Sequence, residues 1–537
     1  MSRQQYLRLF VPTLIIALAA AVSAQAPPTV TGSADPSILT NKPASAQAPA
    51  VRLEIRETPL GKVEASLVLR GSSAVSRDSR HVGYVIRRHG RMSAVIDGVE
   101  QKAHDGVAGI VFSPDGRRLA YVVDQRKRVR AVIDGAEGND YDGIAKDGLS
   151  FSSDSTRVAY AALRGRQWRV VVDGAEGNAY DQVGLVVLGP DGKRVAYAAR
   201  RGNRELLVVD GQESHESDGV AGVVFSPDSK RIAYGVKHGN QWVVAVDGTE
   251  GLQYEQVGDL VFSPDSRRLA YVAGRSKKML AVVDGQESRE YEHIGQLRFS
   301  PDSKHVAYGV LKGRKMAIVL DGVEEQEYDQ IAVPGLVFSP GGQRTAYRAR
   351  RGNKWMLVAD RVEGKNYSAT GGTPTFSPDG TRLAYVAFER DRAFVVVDGK
   401  EHKTYRGIGE SSIVFSPDSK RVAYIGVNGK TTEFPVVDGV EGPTYQGFVV
   451  GSRLVFDGPT SLHYLAGHGD VLYRVEAEIV EQGAVAQIAN PEQRSAAPRD
   501  GEKRAAPERL SVHCQIQTDK ISEPCSNSRE TQAAGSR

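Results

Sequence analysis

The chain has 537 residues, of which 40% are hydrophobic and 25% are charged, which indicates a soluble globular protein with an extensive core and excludes general disorder. The formal net charge is only +4, and lysine and arginine are spread along the whole chain. This distribution argues against a nucleic-acid-binding protein, in which basic residues concentrate in one block or stripe.

The first 24 residues, MSRQQYLRLFVPTLIIALAAAVSA, have the pattern of a secretory signal peptide. Arg3 and Arg8 supply positive charge, residues 9–22 are apolar, and small residues precede Gln25. A membrane anchor is the alternative, but the apolar run is shorter than the roughly 20 residues that a spanning helix needs. We therefore expect cleavage after Ala24, export to the periplasm or the medium, and no membrane span after cleavage.

Two segments outside the repeats lack a hydrophobic period. Residues 25–50 are rich in Ala, Pro, Ser and Thr, which predicts a disordered linker, and residues 482–537 predict a disordered tail. The tail holds the two cysteines, Cys514 and Cys525. In an oxidising compartment they can close a small loop or stay as two exposed thiols, and spacing alone does not decide.

Between these segments, one motif recurs eleven times. Each copy has a tyrosine, usually after alanine, at a spacing of 37 to 40 residues: Tyr84, Tyr121, Tyr160, Tyr197, Tyr234, Tyr271, Tyr308, Tyr347, Tyr385, Tyr424 and Tyr464. A second series, of Asp-Gly pairs, keeps the same phase: it begins at Asp97, Asp134, Asp173, Asp210, Asp247, Asp284, Asp321, Asp398 and Asp438. Such self-similarity is the signature of a repeat architecture.

One unit, GVVFSPDSKRIAYGVKHGNQWVVAVDGTEGLQYEQVGD, predicts four short strands separated by turns. Residues 223–225, 231–236 and 241–246 are the first three. The Ser-Pro-Asp-Ser turn separates the first two, and Asp247-Gly248 forms a two-residue hairpin into a weaker fourth strand at residues 253–257. No unit has a helical apolar period of useful length, which excludes helical solenoids.

The second strand predicts how the units stack. In RIAYGV, the large Ile232, Tyr234 and Val236 point to one side and the small Ala233 and Gly235 to the other. Neither side is polar, so both are buried. A sheet with a bulky and a small face packs well against an identical neighbour, as the blades of a β-propeller do.

The pattern F-S-P-D-[GS]-x-[RK]-[LIV]-A-Y resembles the WD-like propeller repeats of the TolB family, which also occur in the propeller domains of prolyl oligopeptidase-type peptidases. The resemblance covers roughly residues 62–480. It implies an all-β fold, a β-propeller of about eleven four-stranded repeats within residues 51–481, and protein or cell-envelope partners. It transfers no catalytic residue, and the VVDGxEG hairpin with its following Tyr-Asp is an elaboration of this chain.

Ring number and ring closure are left open by the sequence. Because one ring usually has about 4 to 8 blades, eleven units favour two tandem propellers slightly over one wide ring. The segment EASLVLR, residues 64–70, can supply the fourth strand of the last unit and so join the chain ends, which is compatible with one ring.

The eighth unit departs most from the repeat. Ser339-Pro340-Gly341-Gly342 lacks the turn aspartate, Asp360-Arg361 replaces Asp-Gly, and Tyr-Asp is missing before TGGTPTFSPDG. We expect a ring boundary or a specialised surface there.

Several residues are candidates for chemistry, and a structural interpretation is favoured for each. The repeated aspartates suit their turns, and no D-x-D-x-D-G calcium loop is present in the sequence. Three tryptophans at the start of third strands indicate packing at a blade edge, with an aromatic grip on a ligand as the alternative: Trp168, Trp242 and Trp355.

The remaining candidates carry positive charge or imidazole groups. Basic pairs between second and third strands are interpreted as solvated loop charges, with an acidic partner or anionic envelope polymer as the alternative: Arg87-Arg88, Arg200-Arg201 and Arg350-Arg351. His463 and His468 are a weak pair without metal-ligand spacing.

The sequence contains neither G-x-S-x-G nor a G-x-x-x-x-G-K-[ST] phosphate loop. We therefore predict no catalytic, cofactor or metal residue, and expect an exported, non-catalytic scaffold that binds protein or cell-envelope partners through blade-end loops. The alternatives are a lyase or glycan hydrolase with a site in the central channel, and an accessory propeller of a separately encoded hydrolase.

Overall fold

A computed structural model describes residues 51–146, 148–429 and 432–481. The signal segment, the linker and the tail with Cys514 and Cys525 lie outside the described residues, so the expectations for them stay predictions. Within the described residues, every regular element is a β-strand. They form eleven antiparallel sheets of four strands, and in five sheets the first strand is divided into two short pieces.

The fifth blade shows how the sequence builds each sheet. Its strands are β19 (Gly219–Phe225), β20 (Ile232–His238), β21 (Gln241–Val246) and β22 (Thr249–Tyr254), paired in that order. The fourth strand starts directly after the Asp-Gly turn, earlier than predicted, because Thr249 continues the hairpin opposite Val246. Val257, assigned to it from sequence, belongs to the next blade.

The other strands repeat this plan, with the first strand innermost. The inner strands are β2 (Ala74–Val75), β6 (Gly106–Phe112), β10 (Gly143–Ile144) with β11 (Ser150–Phe151), β15 (Gln182–Leu188), β23 (Gln256–Phe262), β27 (His293–Ile294) with β28 (Arg298–Phe299), β32 (Gln330–Ile331) with β33 (Val337–Phe338), β37 (Ala369–Phe376), β41 (Gly407–Ile408) with β42 (Val414–Phe415), and β46 (Gly447–Phe448) with β47 (Val455–Phe456). The second strands are β3 (Val82–Arg88), β7 (Leu119–Gln125), β12 (Val158–Arg164), β16 (Val195–Arg201), β24 (Leu269–Arg275), β29 (Val306–Lys312), β34 (Thr345–Arg351), β38 (Leu383–Glu389), β43 (Val422–Val427) and β48 (Ser461–His468).

The outer half of each blade is a hairpin. The third strands are β4 (Arg91–Ile96), β8 (Arg128–Ile133), β13 (Gln167–Val172), β17 (Arg204–Val209), β25 (Lys278–Val283), β30 (Lys315–Leu320), β35 (Lys354–Ala359), β39 (Arg392–Val397), β44 (Glu433–Val437) and β49 (Val471–Glu481). The fourth strands are β5 (Val99–Glu100), β9 (Ala136–Glu137), β14 (Ala175–Tyr180), β18 (Gln212–Glu213), β26 (Gln286–Glu287), β31 (Val323–Glu324), β36 (Val362–Glu363), β40 (Lys400–Glu401), β45 (Val440–Glu441) and, for blade 11, β1 (Val51–Lys62).

Neighbouring blades pack as the side-chain alternation predicts. Ile232 and Tyr234 join a core cluster with Leu207 of blade 4, whereas Ala233 joins a cluster with Tyr271 of blade 6. The first strands of adjacent blades also contact one another, as β19 and β23 do. The first strands therefore line a central channel, and the fourth strands form the outer rim.

The blades close into one ring. Each blade shares a core cluster with the next, and the last cluster packs Leu465 of blade 11 against Val82 and Tyr84 of blade 1. The slight preference for two tandem propellers is therefore replaced by the single wide ring. Both faces of every blade are built to bury an identical neighbour, so the chain can add blades beyond the usual number without a change of interface.

The expected strand pairing that joins the two ends of the chain, here called the clasp, is present, but a different segment forms it. β1 pairs with β49 from Val51 opposite Glu481 to Lys62 opposite Val471. Residues 64–70, which the sequence assigned to this role, pair instead with the second strand of blade 1, where Val68 lies opposite Ile86. The alternation in VRLEIRE, apolar inward and charged outward, is the better strand signal.

An arginine latch joins neighbouring blades at the Ser-Pro-Asp end. Arg231 Nε donates to Asp247 Oδ2 (3.0 Å), and Nη1 donates to the carbonyl oxygen of Arg267 in the next blade (3.1 Å). Its guanidinium lies 5.3 Å from the ring centroid of Phe262, also in the next blade. Equivalent hydrogen bonds are made by Arg118, Arg157, Arg194, Arg268, Arg344 and Arg382.

A tyrosine latch joins the outer strands. Tyr254 packs edge-to-face on Tyr271 of the next blade (centroids 6.2 Å apart) and donates to Glu287 Oε1 (2.9 Å). Arg275 donates to the same carboxylate and lies over the Tyr254 ring. The Tyr-Glu hydrogen bond recurs from Tyr141, Tyr180, Tyr328, Tyr367 and Tyr445. For Tyr445, the acceptor is Glu57 of β1, so the clasp strand completes the series.

Deleting residues 51–62 is expected to open the ring. The deletion removes β1 with the apolar residues Val51, Leu53 and Ile55 and exposes the edge of β49. Because burial of one aliphatic side chain contributes about 1.5–3 kcal/mol, we expect a loss of several kcal/mol in thermal or urea unfolding. Deletion of residues 25–50 is the control, and equal stability of the two deletions would contradict the clasp.

The tyrosine latch predicts a loss of stability in acid. Hydrogen bonds from Arg275 and Tyr254 hold the pKa of Glu287 below its usual range. A carboxyl group whose pKa is lower in the folded than in the unfolded protein stabilises the folded state. This contribution is fully present above the unfolded-state pKa of about 4.3 and is lost as the pH falls through the folded-state pKa. The melting temperature should therefore decrease as the pH is lowered below about 4. Glu287→Gln should reduce this dependence of the melting temperature on pH, whereas substitution of the exposed Glu290 by Gln should leave it unchanged.

Candidate functional site

The repeated aspartates hold turns. Asp228 Oδ1 accepts hydrogen bonds from Ser226 Oγ (2.6 Å) and the Lys230 amide (3.1 Å), which keep the pKa of Asp228 below its usual range. Asp247, at a φ of 52°, accepts from the Ile232 amide (2.8 Å) as well as from Arg231. Among the described residues, no group of three or more His, Cys, Asp or Glu can hold a metal ion.

The three tryptophans pack within their own blades. Trp242 lies opposite Lys237 and Tyr254, and the Lys237 ammonium is 5.8 Å from its ring centroid. Trp168 lies opposite Tyr180 and Trp355 opposite Tyr367 in the same register. All three are half-buried. This position fits packing at a blade edge.

The basic pairs are engaged in ion pairs. Arg201 donates to Glu213 (2.9 Å) and lies over Tyr180, and Arg351 repeats this arrangement in blade 8. Arg88 donates to Glu64 (2.8 Å). The second arginine of each pair is thus bound to a carboxylate of the protein itself, which weakens the case for an acidic partner at these turns.

The two histidines do not share a site. His463 is 1% exposed, its Nδ1 lies 2.7 Å from Asp457 Oδ2, and its Nε2 lies 2.6 Å from the carbonyl oxygen of Asp78. Asp78 belongs to blade 1, so His463 joins the last blade to the first. His468 is exposed at the end of the same strand.

One departure of the eighth unit is paired with a departure of the seventh unit. Arg361 replaces the glycine of the Asp-Gly turn at a φ of 68°, and its Nε donates to Glu325 Oε1 of blade 7 (3.0 Å), whose side chain is only 4% exposed. Five other units have glycine in place of Glu325, as at Gly251, and the rest have Gln, Ser or His. A cavity of about 230 Å³ lies beside the pair, lined also by Tyr328 and Tyr347.

Blade 8 is not a ring boundary. Tyr367 and Tyr385 belong to one core cluster that joins blades 8 and 9. Tyr367 also donates to Glu401 (3.0 Å), so only the aspartate of the Tyr-Asp pair is missing, with Ser368 in its place. The expectation of a boundary was wrong because the altered residues lie in turns and not in the faces that pack.

The inner strands contain one position that differs widely from blade to blade. The pairing of each inner strand with the second strand of its blade is interrupted before the last residues, as in the register shift between Ala221 and Val224. This interruption lies on the strand that lines the channel. One residue per blade occupies the same repeat position there: Arg70, Gly109, Lys146, Leu185, Gly222, Asp259, Gln296, Val333, Gly372, Glu410 and Val450. We call these eleven residues the variable ring.

The variable ring offers several chemical contacts to the channel. Leu185, Val333 and Val450 are 71%, 87% and 83% exposed, the three most exposed large hydrophobic residues in the described part of the chain. They lie on blades 4, 8 and 11, at nearly even intervals around the ring. A partner in the channel can contact apolar groups on three sides. The variable ring is therefore the candidate binding surface.

Sequence analysis missed this surface because it followed what the units share. The signal was present in the alignment: a position between the repeated strand residues holds cationic, anionic, amide, aliphatic and glycine residues in turn. Only the sheet topology shows that all eleven face one channel.

The pair of Arg361 and Glu325 predicts coupled stability effects. Arg361→Gly should stabilise the Glu325→Gly protein by about 1 kcal/mol, because it removes a left-handed non-glycine residue. In the wild-type background the same change leaves the buried carboxylate of Glu325 unpaired, so the stabilisation should be smaller or reversed. Urea unfolding of the wild type, the two single variants and the double variant should give a coupling free energy of about 0.5–3 kcal/mol. Equal effects in both backgrounds would contradict the compensation.

No family model and no curated protein matches the chain. Among solved structures, a crystal structure of a eukaryotic initiation factor is similar over 61% of this chain and 96% of its own, with 13% identity and a TM-score of 0.36. TolB from Acinetobacter baumannii is similar over 47% of this chain and 77% of its own, with 16% identity and a TM-score of 0.22. In the described part of the chain, no helix is long and apolar enough to cross a membrane. The chain is thus a β-propeller by its own topology, and these distant similarities transfer no function.

Proposed function

We propose that the chain is an exported, non-catalytic scaffold that binds a protein or cell-envelope partner, and that the variable ring makes the contacts. One observation carries the proposal: a single position of the inner strands differs from blade to blade and exposes Leu185, Val333 and Val450, whereas the neighbouring positions of these strands repeat. Rigid frames with variable loops are a common basis of binding.

The rest of each blade supports the frame. The turn aspartates, the latch arginines and the latch tyrosines contact the protein itself. The blade-end loops, to which the sequence assigned binding, are largely engaged in this way. Binding through the channel therefore uses residues that have no evident structural task.

Export and family remain part of the proposal. The signal-like first 24 residues support export to the periplasm or the medium. The F-S-P-D repeat pattern supports a TolB-type propeller, and the TolB resemblance implies a protein or cell-envelope partner.

A channel enzyme is the alternative. Such a site needs converging carboxylates, His or Tyr. The carboxylates of the variable ring, Asp259 and Glu410, lie on blades 6 and 10, and none of the eleven residues is His or Tyr. The composition of the ring favours binding.

The decisive experiment is affinity capture from a cell-envelope extract with the chain starting at Gln25. The test variant changes Leu185, Val333 and Val450 to glycine, the residue that blades 2, 5 and 9 have there. We expect a saturable partner for the wild type and at least tenfold weaker capture by the variant, because burial of each exposed aliphatic side chain against a partner contributes about 1.5–3 kcal/mol.

A matched control changes three exposed valines of the outer strands, Val99, Val323 and Val362, to threonine, as found at Thr249. This control should bind as the wild type does. Equal loss in both variants would contradict a role for the channel, and specific retention of a hydrolase would favour the accessory-propeller alternative.

A further inference from the structure

Arg298 and Arg348 occupy repeat positions at which every other blade has an uncharged residue. At the position of Arg298, seven blades have valine: Val111, Val187, Val224, Val261, Val337, Val414 and Val455. At the position of Arg348, the ten other blades have Gly, Ala, Val, Ile or Leu, including Gly235 and Gly309. These departures lie in packed strands on adjacent blades and are not explained by turn geometry.

Arg348 lies between blades 8 and 9 at the channel. Its Nη1 donates to the carbonyl oxygen of Thr370 in blade 9 (2.8 Å), and Nη2 donates to that of Val333, a member of the variable ring (3.1 Å). The Thr370 hydroxyl is buried and has no hydrogen-bond partner in the part of the chain that the structure describes. Two carbonyl groups hold the guanidinium in place, and its remaining N–H groups are unused.

Arg298 lies on the other side of blade 8. It pairs with Ala307 in the sheet, and Ala307 packs against Ile331 and Leu336 of blade 8, so Arg298 is on the same face. Its Nη2 donates to Gln296 of the variable ring (2.6 Å), and its buried Nε has no hydrogen-bond partner among the residues described. The two arginines therefore flank the inner strand of blade 8.

Within the described residues, neither Arg298 nor Arg348 has an ion-pair partner, unlike the latch arginines. Burial lowers the pKa of both Arg298 and Arg348, because desolvation disfavours the charged form and no carboxylate offsets it. An unpaired, partly buried guanidinium destabilises a fold. A residue that breaks a local rule without structural gain indicates a functional site.

We propose that Arg348, between blades 8 and 9 at the channel, binds an oxyanion, a carboxylate or phosphate group, and that Arg298 adds positive charge on the other side of the same inner strand. Guanidinium groups bind such anions through paired N–H donors. The Thr370 hydroxyl can supply a further donor. The site does not depend on the proposed partner of the variable ring, because a free anion is sufficient to occupy it.

The repeat itself supplies the test variants. Arg298→Val and Arg348→Gly restore residues that other blades carry, so both proteins should fold and unfold at the same or a higher temperature than the wild type without ligand. Arg117→Thr is the matched control: it removes one exposed positive charge and restores the residue found at Thr156.

The measurement is thermal unfolding and titration calorimetry of the chain from Gln25 with inorganic phosphate, acetate or chloride at constant ionic strength. We expect a saturable rise in melting temperature with phosphate or acetate beyond that with chloride. Binding should be at least tenfold weaker in Arg348→Gly, weakened to a smaller degree in Arg298→Val, and unchanged in Arg117→Thr. A response to phosphate alone indicates a phosphate-bearing ligand, and one to acetate a carboxylate.

Two outcomes would overturn the site. One is a wild-type response to phosphate and acetate no larger than that to chloride. The other is a lower melting temperature of both variants without ligand together with unchanged anion binding, which would make the arginines structural.

Discussion

The contact between neighbouring blades is the interaction on which the whole structure depends. A bulky face with a buried tyrosine packs against the opposite face of the neighbouring blade, where the residue before the tyrosine is alanine or glycine in ten blades and His463 in the eleventh. A tyrosine buries about 150–250 Å², worth about 4–6 kcal/mol at 25 cal/mol per Å² as an upper bound. A hydrogen bond to a charged group contributes about 1.5–3 kcal/mol. Packing therefore supplies most of the stability, and the latches fix the register of one blade on the next.

Closure follows from the same contact. A solenoid of such blades would expose one bulky and one small face at its ends, whereas the ring buries both against each other, with Leu465 against Tyr84. The clasp adds β1 to the last blade and provides Glu57 as the acceptor for Tyr445. His463 and its contact with Asp78 fix the same junction. Ring closure is thus achieved by the ordinary blade contact plus a strand from the other chain end.

Much of the fold was predictable because the types of neighbouring residues determine it. The alternation of Tyr234 with Ala233 predicted the packing faces, and Asp247-Gly248 predicted the hairpin. Ring number was not predictable, because eleven identical interfaces are compatible with either arrangement until the contact of blade 11 with blade 1 is known. The clasp was assigned to residues 64–70 because proximity to the first unit outweighed the clearer alternation that begins at Val51. The variable ring was missed because its members are far apart in sequence and differ in chemistry.

Repetition also makes the exceptions informative. In a chain whose units share one solution to packing, a departure has either a structural partner or another reason. Arg361 has a structural partner in Glu325, because its guanidinium forms an ion pair with this buried carboxylate. Arg298 and Arg348 have hydrogen-bond acceptors but no carboxylate partner among the described residues, although replacement by valine or glycine would fit the strands as it does in other blades. Their charges are therefore not compensated by the described part of the chain. An anionic ligand has the charge and the acceptor groups to compensate them.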